Sequence, residues 1–214
     1  MADTHDEAVP EVEPSVAADL FGDRIDLARG FCDALVTQGE ILGLIGPREL
    51  PQLWTRHLLN SVLLAPLLPQ RVADVGSGGG FPGIVLAIAR PDVEFTLIEP
   101  MERRVQWLES QADALGLENV RVLRARAEEV DVDQPFDAVT ARAVSALSKL
   151  IPWTAPLVRS GGELLLLKGE RVHEEIEKAR KVIRKHRLEN IEVVELGADY
   201  GLDVTRVFRA QVDP

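Results

Sequence analysis

Four glycines in five positions, Gly76, Gly78, Gly79 and Gly80, constrain this chain more than any other feature. They sit inside residues 71–99, RVADVGSGGGFPGIVLAIARPDVEFTLIE, after an apolar run (Val72, Ala73, Val75) broken only by Asp74. A longer apolar run follows from Gly83 to Ala89 and is ended by Pro91; a third, Phe95 to Ile98, finishes on Glu99. The order is strand, glycine turn, helix, strand, acid, which is one βαβ nucleotide-binding unit. Glycine takes positive φ without steric cost and lets a ligand lie against the backbone. Pro82 suits a first helical turn, where its missing N–H is no loss. Glu99, nineteen positions beyond Gly80, falls at the carboxyl end of the second strand. A carboxylate there can accept hydrogen bonds from both hydroxyls of a ribose, so an adenosine-type ligand is expected.

Two cofactor classes fit the loop. Gly78-x-Gly80-x-x-Gly83 matches the dinucleotide fingerprint, which seats a pyrophosphate on a helix N-terminus. Asp74-x-Gly76-x-Gly78-x-Gly80 also matches the loop of S-adenosylmethionine (SAM) methyltransferases. The strand-end carboxylate at Asp74 repels a pyrophosphate, yet suits the ammonium and sulfonium end of SAM, directly or through water. The loop therefore favours SAM, with a nicotinamide dinucleotide oxidoreductase as the alternative.

At 214 residues the chain can hold one α/β domain with extensions. No apolar run approaches the ~18 residues of a membrane span, and the N-terminus lacks a basic-then-apolar signal pattern, so a cytoplasmic protein without a membrane partner is expected. The single cysteine, Cys32, allows neither an internal disulfide nor a cysteine metal cluster, and no metal is expected. A net charge of −11 argues at face value against a nucleic-acid partner. The first fourteen residues, however, hold five acids and no Lys or Arg, so the charge falls to −6 without them. Residues 1–15 read as a disordered acidic tail, and an RNA surface would be a local basic patch.

Helical spacing of Leu20, Leu27, Phe31 and Leu35 predicts one or two helices over 16–35, and residues 50–64 form a second helical segment with Trp54, Leu58, Leu59 and Val62 inward. Residues 16–70 thus read as a helical extension packed on a domain spanning 71–214. A helix over 101–115 buries Met101, Val105, Leu108, Ala112 and Leu115, and Gly116 stops it. Strands follow at 120–123, 136–140, 163–167, 191–196 and 203–210, with helices over 144–150 and 172–187. The unbroken run Leu164 to Leu167 marks a strand buried on both faces. This alternation predicts a doubly wound, mostly parallel seven-stranded sheet, with ligands at the carboxyl ends of its strands. Asp74, Glu99, the Ala127–Glu128 turn, Arg142 and Lys168 occupy such ends.

These residues add up to a family pattern. WTRHLLNS (54–61), DVGSGGGFPGIVLAI (74–88), LIEPMERRVQWL (97–108), RAEE (126–129), DAVTARAVSALSKL (137–150) and LLLLKGE (164–170) make the sequence resemble the bacterial small-subunit ribosomal RNA methyltransferase G family, also called glucose-inhibited division protein B. The glycine loop is shared by many methyltransferases; its combination with the RH, TARA and LKG segments is far more specific. The resemblance implies a class I SAM-dependent, Rossmann-like methyltransferase fold and methylation of N7 of a guanosine in 16S rRNA of the small ribosomal subunit or its precursor. It also implies cofactor contacts at Gly76, Phe81, Ala127, Glu128 and Arg142, beside the Asp74, Gly78 and Glu99 read from the loop. A monomer is expected. A methyltransferase acting on a small molecule or protein is the alternative on the same fold.

N7 of guanine carries an in-plane lone pair and needs no deprotonation, so its methylation is chiefly positional. An exocyclic-amine methyltransferase would show Asp/Asn-Pro-Pro-aromatic after the fourth strand, where this chain reads Ala141-Arg142-Ala143; Cys32 lies in the wrong region for a C5 enzyme. Arg142 and Lys168 are the candidate catalytic contacts, and Arg142 would meet a phosphate or O6, since capture of N7 would block attack. An ion pair of Arg142 with Asp74 or Glu128, and a merely solvated Lys168, are the bland alternatives. Arg56 and His57 are candidates for the base pocket, against an ordinary structural histidine. Residues 171–187 carry seven basic and three acidic side chains, and Lys178, Lys181 and Lys185 on the outer face are candidate RNA-backbone contacts. In A-form RNA the N7 edge lies in a deep, narrow groove, so the target must be unpaired or flipped.

Overall fold

The computed structural model describes residues 9–131 and 134–213. Its centre is a seven-stranded sheet in the order β3-β2-β1-β4-β5-β7-β6, from β1 (Arg71–Val75), β2 (Glu94–Ile98), β3 (Val120–Leu123), β4 (Phe136–Arg142), β5 (Val158–Lys168), β6 (Leu188–Leu196) and β7 (Thr205–Val212). Only β7 runs against its neighbours, pairing antiparallel with both β5 and β6. The winding reverses at β1, whose neighbours are β2 and β4; the crevice outside those strand ends is where such folds bind ligands.

Side-chain alternation sorts the core into two layers. Val72, Leu165, Leu167 and Val207 face one cluster, which takes in α1 (Val16–Phe21), α2 (Ile25–Gln38), the π-helical turn Leu53–Leu59 that continues as α3 (Asn60–Val62), α4 (Gly83–Ala89) and α5 (Glu102–Ala114). Ala73, Leu164, Leu166 and Phe208 face the other, under α6 (Leu147–Thr154) and α7 (Val172–Lys185). The N-terminal helices therefore share one core with the sheet. Cys32 lies in it, and burial pushes its thiol up to about 12, so it is a packing residue.

Several elements differ from their sequence expectation. Residues 50–64 are not one α-helix: a 3₁₀ stretch, Pro47–Gln52, with Pro51 inside it, precedes the π-helical turn. The helix expected at 144 begins at Leu147, because Ala143 has φ 55 and Ala146 is extended. Strand β5 starts five residues early, at Val158, and pairs with β4 in two stretches separated by a register shift, which absorbs Gly161 and Gly162. Met101, expected inside, is 47% exposed, and Trp107 fills the inner face of α5 instead.

The acidic tail is also corrected in part. Residues 1–8 lie outside the described residues, but the segment after them is held. Glu11 donates its backbone N–H to the Leu50 carbonyl (3.0 Å), and its carboxylate accepts from Thr55 N–H (3.0 Å). Glu13 pairs with Arg29 at 2.7 Å. Two of the five acids thus have fixed partners, which charge density alone does not reveal.

Candidate active site

The turn after β1 is shaped by positive φ at Gly76 (74°), Gly78 (54°) and Gly80 (104°). A Cβ at Gly76 would come within 2.7 Å of Val144, and one at Gly80 within 2.8 Å of the Phe31 ring. The turn is pinned from outside by Trp107, whose Nε1–H donates to the Gly79 carbonyl at 3.0 Å. Together these contacts hold the backbone as a cradle no side-chain-bearing sequence could form.

A cavity of about 520 Å³ opens beside the turn, within the usual range for a small-molecule site. Gly76, Gly78, Phe81, Glu99, Ala127, Glu128 and Arg142 are all in its lining, so seven of the eight expected cofactor residues converge there. Glu99 is held by two backbone donors: Gly78 N–H to Oε2 and Met101 N–H to Oε1, both 3.0 Å. Each carboxylate oxygen keeps a second lone pair, which suits it to a ribose diol.

The eighth residue, Asp74, does not line the cavity. It is fully buried beneath the turn, and its Oδ2 accepts the Gly83 N–H (3.0 Å) at the start of α4. The direct steering of a cationic ligand expected from its charge is therefore corrected: it braces the loop. Burial pushes its carboxyl up to about 7, against the opposing pull of Ser77, Gly83 and the Arg142 charge. Its Oδ1 and the neighbouring Thr140 Oγ1 have no hydrogen-bond partner among the described residues.

Asp74, Thr140 and Arg142 project from the same sheet face, and Arg142 meets His57 from the π-helical turn. Its Nη2 donates to His57 Nδ1 (2.7 Å), its Nη1 to the Arg56 carbonyl (2.9 Å), and its Cζ lies 4.8 Å from the Phe81 ring centroid. Burial lowers Arg142 to about 10. Burial, then the Arg142 charge, lowers His57 to about 4. His57 thus lines the cavity beside Arg142, a contact the sequence does not announce, whereas Arg56 contributes a backbone carbonyl while its side chain faces solvent.

Lys168 is a second correction. Its Nζ sits 2.8 Å from Glu175 Oε2 and donates to the Ser145 carbonyl (2.9 Å), and it is absent from the cavity lining. It ties β5 to α7. Lys178, Lys181 and Lys185 are exposed on α7 and also stand outside the lining; Lys178 is 3.9 Å from Glu174. Sequence reasoning missed Glu49, Met101 and Arg104, which line the cavity, and Trp107 behind it. Glu49 had a readable signal. Gly46-Pro-Arg-Glu49 carries the acid three residues after the cap, and Glu49 Oε2 does accept the Gly46 N–H at 2.7 Å.

The shifts at Asp74 and His57 have opposite consequences. A carboxyl raised in the folded state stabilises below its unfolded value (~4) and loses that contribution as pH climbs through about 7. A histidine lowered in the folded state gives a contribution present above ~6.5 and lost as pH falls through about 4. Asp74→Asn keeps an acceptor for Gly83 while removing the first titration. The wild type should accordingly lose Tm relative to this variant as pH rises from 4 to 8; parallel profiles would place the titration elsewhere.

The strand order, the glycine turn and the acid just after β2 define a class I SAM-dependent methyltransferase. A solved SAM-dependent O-methyltransferase from Thermotoga maritima shares the fold with a TM-score of 0.57 at 18% identity, covering 73% of this chain and 65% of that one. The family model for rRNA small subunit methyltransferase G matches residues 24–202. Proteins named ribosomal RNA small subunit methyltransferase G are similar over nearly their whole length: that of Clavibacter sepedonicus is 61% identical over 94% of this chain and 96% of its own, and that of Leifsonia xyli subsp. xyli 59% over 94% and 97%. The chain belongs to the rRNA small subunit methyltransferase G family.

Proposed function

We propose that this chain transfers the methyl group of SAM to N7 of a guanosine in 16S rRNA, acting on the small ribosomal subunit or its precursor. The observation that carries the reading is the convergence of Gly76, Glu99, Ala127, Glu128 and Arg142 on one cavity in a chain of this family. The residues fit the cofactor. The turn offers bare backbone where a Cβ would intrude, and Glu99 is oriented as a fixed acceptor. SAM supplies an electrophilic methyl; the protein's part is to hold the guanine edge in line and exclude water.

Arg104, Arg126 and Arg142 all line the cavity, and Arg142 is the one held between His57, the Arg56 carbonyl and Phe81. Its guanidinium can meet O6 or a phosphate while leaving N7 free to attack. No base is required for that attack, and His57 is not available as one: its Nδ1 already accepts from Arg142. Labelled methyl transfer from SAM to isolated small subunits, with mapping of the modified nucleoside, tests the reading. Label on an exocyclic amine, on a ribose or on protein would overturn it.

The lysine face of α7 is the proposed backbone contact. Reversing Lys178, Lys181 and Lys185 to Glu should weaken rRNA affinity and shallow its salt dependence, by ~0.7 in slope for each phosphate no longer neutralised. SAM affinity should stay unchanged, since none of the three lines the cavity. Equal RNA affinities for both proteins would remove α7 from the interface. Among the described residues no helix is long and apolar enough to cross a membrane, and no cluster of three metal-ligating side chains occurs.

A further inference from the structure

We infer that Glu49 and His57 are positioning residues for Arg142: one tautomer of the imidazole, selected by Glu49, fixes how the guanidinium faces the cavity. The inference rests on the reading of Arg142 as a ligand contact and extends it to a chain of side chains reaching into the N-terminal layer.

Donors and acceptors decide the tautomer. A guanidinium has five N–H donors and no acceptor, so at 2.7 Å from Arg142 Nη2 the Nδ1 of His57 must be the unprotonated nitrogen. A neutral ring then carries its proton on Nε2. That atom is buried and 3.2 Å from Glu49 Oε1, within ion-pair distance although not aligned as a hydrogen bond. Glu49 is itself anchored, since its other oxygen accepts the Gly46 N–H. The opposite tautomer would set an N–H of His57 against an N–H of Arg142 and leave Nε2 lone-pair first against a carboxylate. Both contacts would become repulsive, so the pair of neighbours permits only one state.

The charged groups facing this histidine are Glu49 and Arg56 from its own side and Arg142 from the sheet, with Asp74 behind Arg142. The ring also packs on Phe81, centroids 5.0 Å apart, the same ring that underlies the Arg142 guanidinium. Arg142 is thus held on three sides: by a backbone carbonyl, by an aromatic face and by a nitrogen whose lone pair depends on Glu49. Loss of the last leaves the charge in place and its direction free.

The ¹⁵N shifts of the His57 ring in the intact protein test this first. They should report Nε2–H with an unprotonated Nδ1 from pH 8 to 6; an Nδ1–H ring, or a rapid mixture, would overturn the inference whatever the variants do. His57→Asn restores an amide oxygen near the Nδ1 position, whereas His57→Leu keeps bulk without an acceptor. The Asn variant should stay near wild type in kcat/KM, while the Leu variant falls on the order of tenfold to a hundredfold at similar Tm. Glu49→Gln, with one acceptor for two donors, should show mixed tautomers and an intermediate rate. Equal rates for Asn and Leu alongside an impaired Arg142→Ala would defeat the positioning role alone. An unimpaired Arg142→Ala would defeat the site reading beneath it.

Discussion

Replacing Arg142 by Ala should abolish methyl transfer while leaving the sheet folded. The side chain brings positive charge to the cavity wall, and its contacts to Arg56, His57 and Phe81 hold it in one direction. Losing a preoriented cationic donor costs on the order of a hundredfold to a thousandfold in rate. Lys at this position retains charge as a single point, cannot reach Arg56 O and His57 Nδ1 together and should recover only part of it. The substitution also has a signature in stability. Without the guanidinium, the buried Asp74 loses the charge that opposes its upward shift, so its folded pKa rises further above the unfolded one. Such a group favours the fold at low pH and ceases to do so as pH passes its folded value. The Ala variant should therefore lose more Tm than wild type between pH 6 and 8.5. A labelled-methyl assay beside thermal melts at both values checks the two halves; near-normal turnover would take Arg142 out of the site.

Trp107→Ala should be the most destabilising change near the cofactor turn. The indole is 3% exposed, lies 6.4 Å from the Phe31 ring and bonds the turn at Gly79. Truncating a buried aromatic costs ~3–5 kcal/mol. For a chain of this size that corresponds to a Tm lower by roughly 6 to 20 °C. Trp107→Phe separates packing from anchoring, because it fills most of the space yet leaves the Gly79 carbonyl without its donor. It should cost only ~1 kcal/mol in stability while weakening SAM binding by a larger factor, measurable by titration calorimetry. Unchanged SAM affinity in the Phe variant would mean that the glycines alone hold the turn.

Most of the architecture is legible in the sequence because its signals are local. The glycine cluster, the acid nineteen residues on and the apolar run at Leu164–Leu167 each fix a backbone conformation or a burial state by themselves. Partnerships across the fold are less legible. Asp74 resembles a ligand contact because a carboxylate at a strand end usually faces the crevice, but the buried Gly83 N–H claims it. Lys168 reads as free until α7 places Glu175 beside it, a pairing that depends on how a helix docks. The contact of His57 with Arg142 stays hidden until the N-terminal layer sets the two opposite each other, 85 positions apart in sequence. The helix expected at 144 fails for a different reason: apolar spacing says nothing of the left-handed Ala143, which turns the chain at the cavity edge.

The position of β7 has a consequence for how the protein is made. It follows both β5 and β6 in the sequence, yet it lies between them and gives Leu164–Leu167 their second set of backbone partners. Until those residues leave the ribosome, the most apolar strand of the sheet presents an open edge to solvent or to chaperones. The sheet thus closes by inserting a wedge between two strands that are synthesised before it.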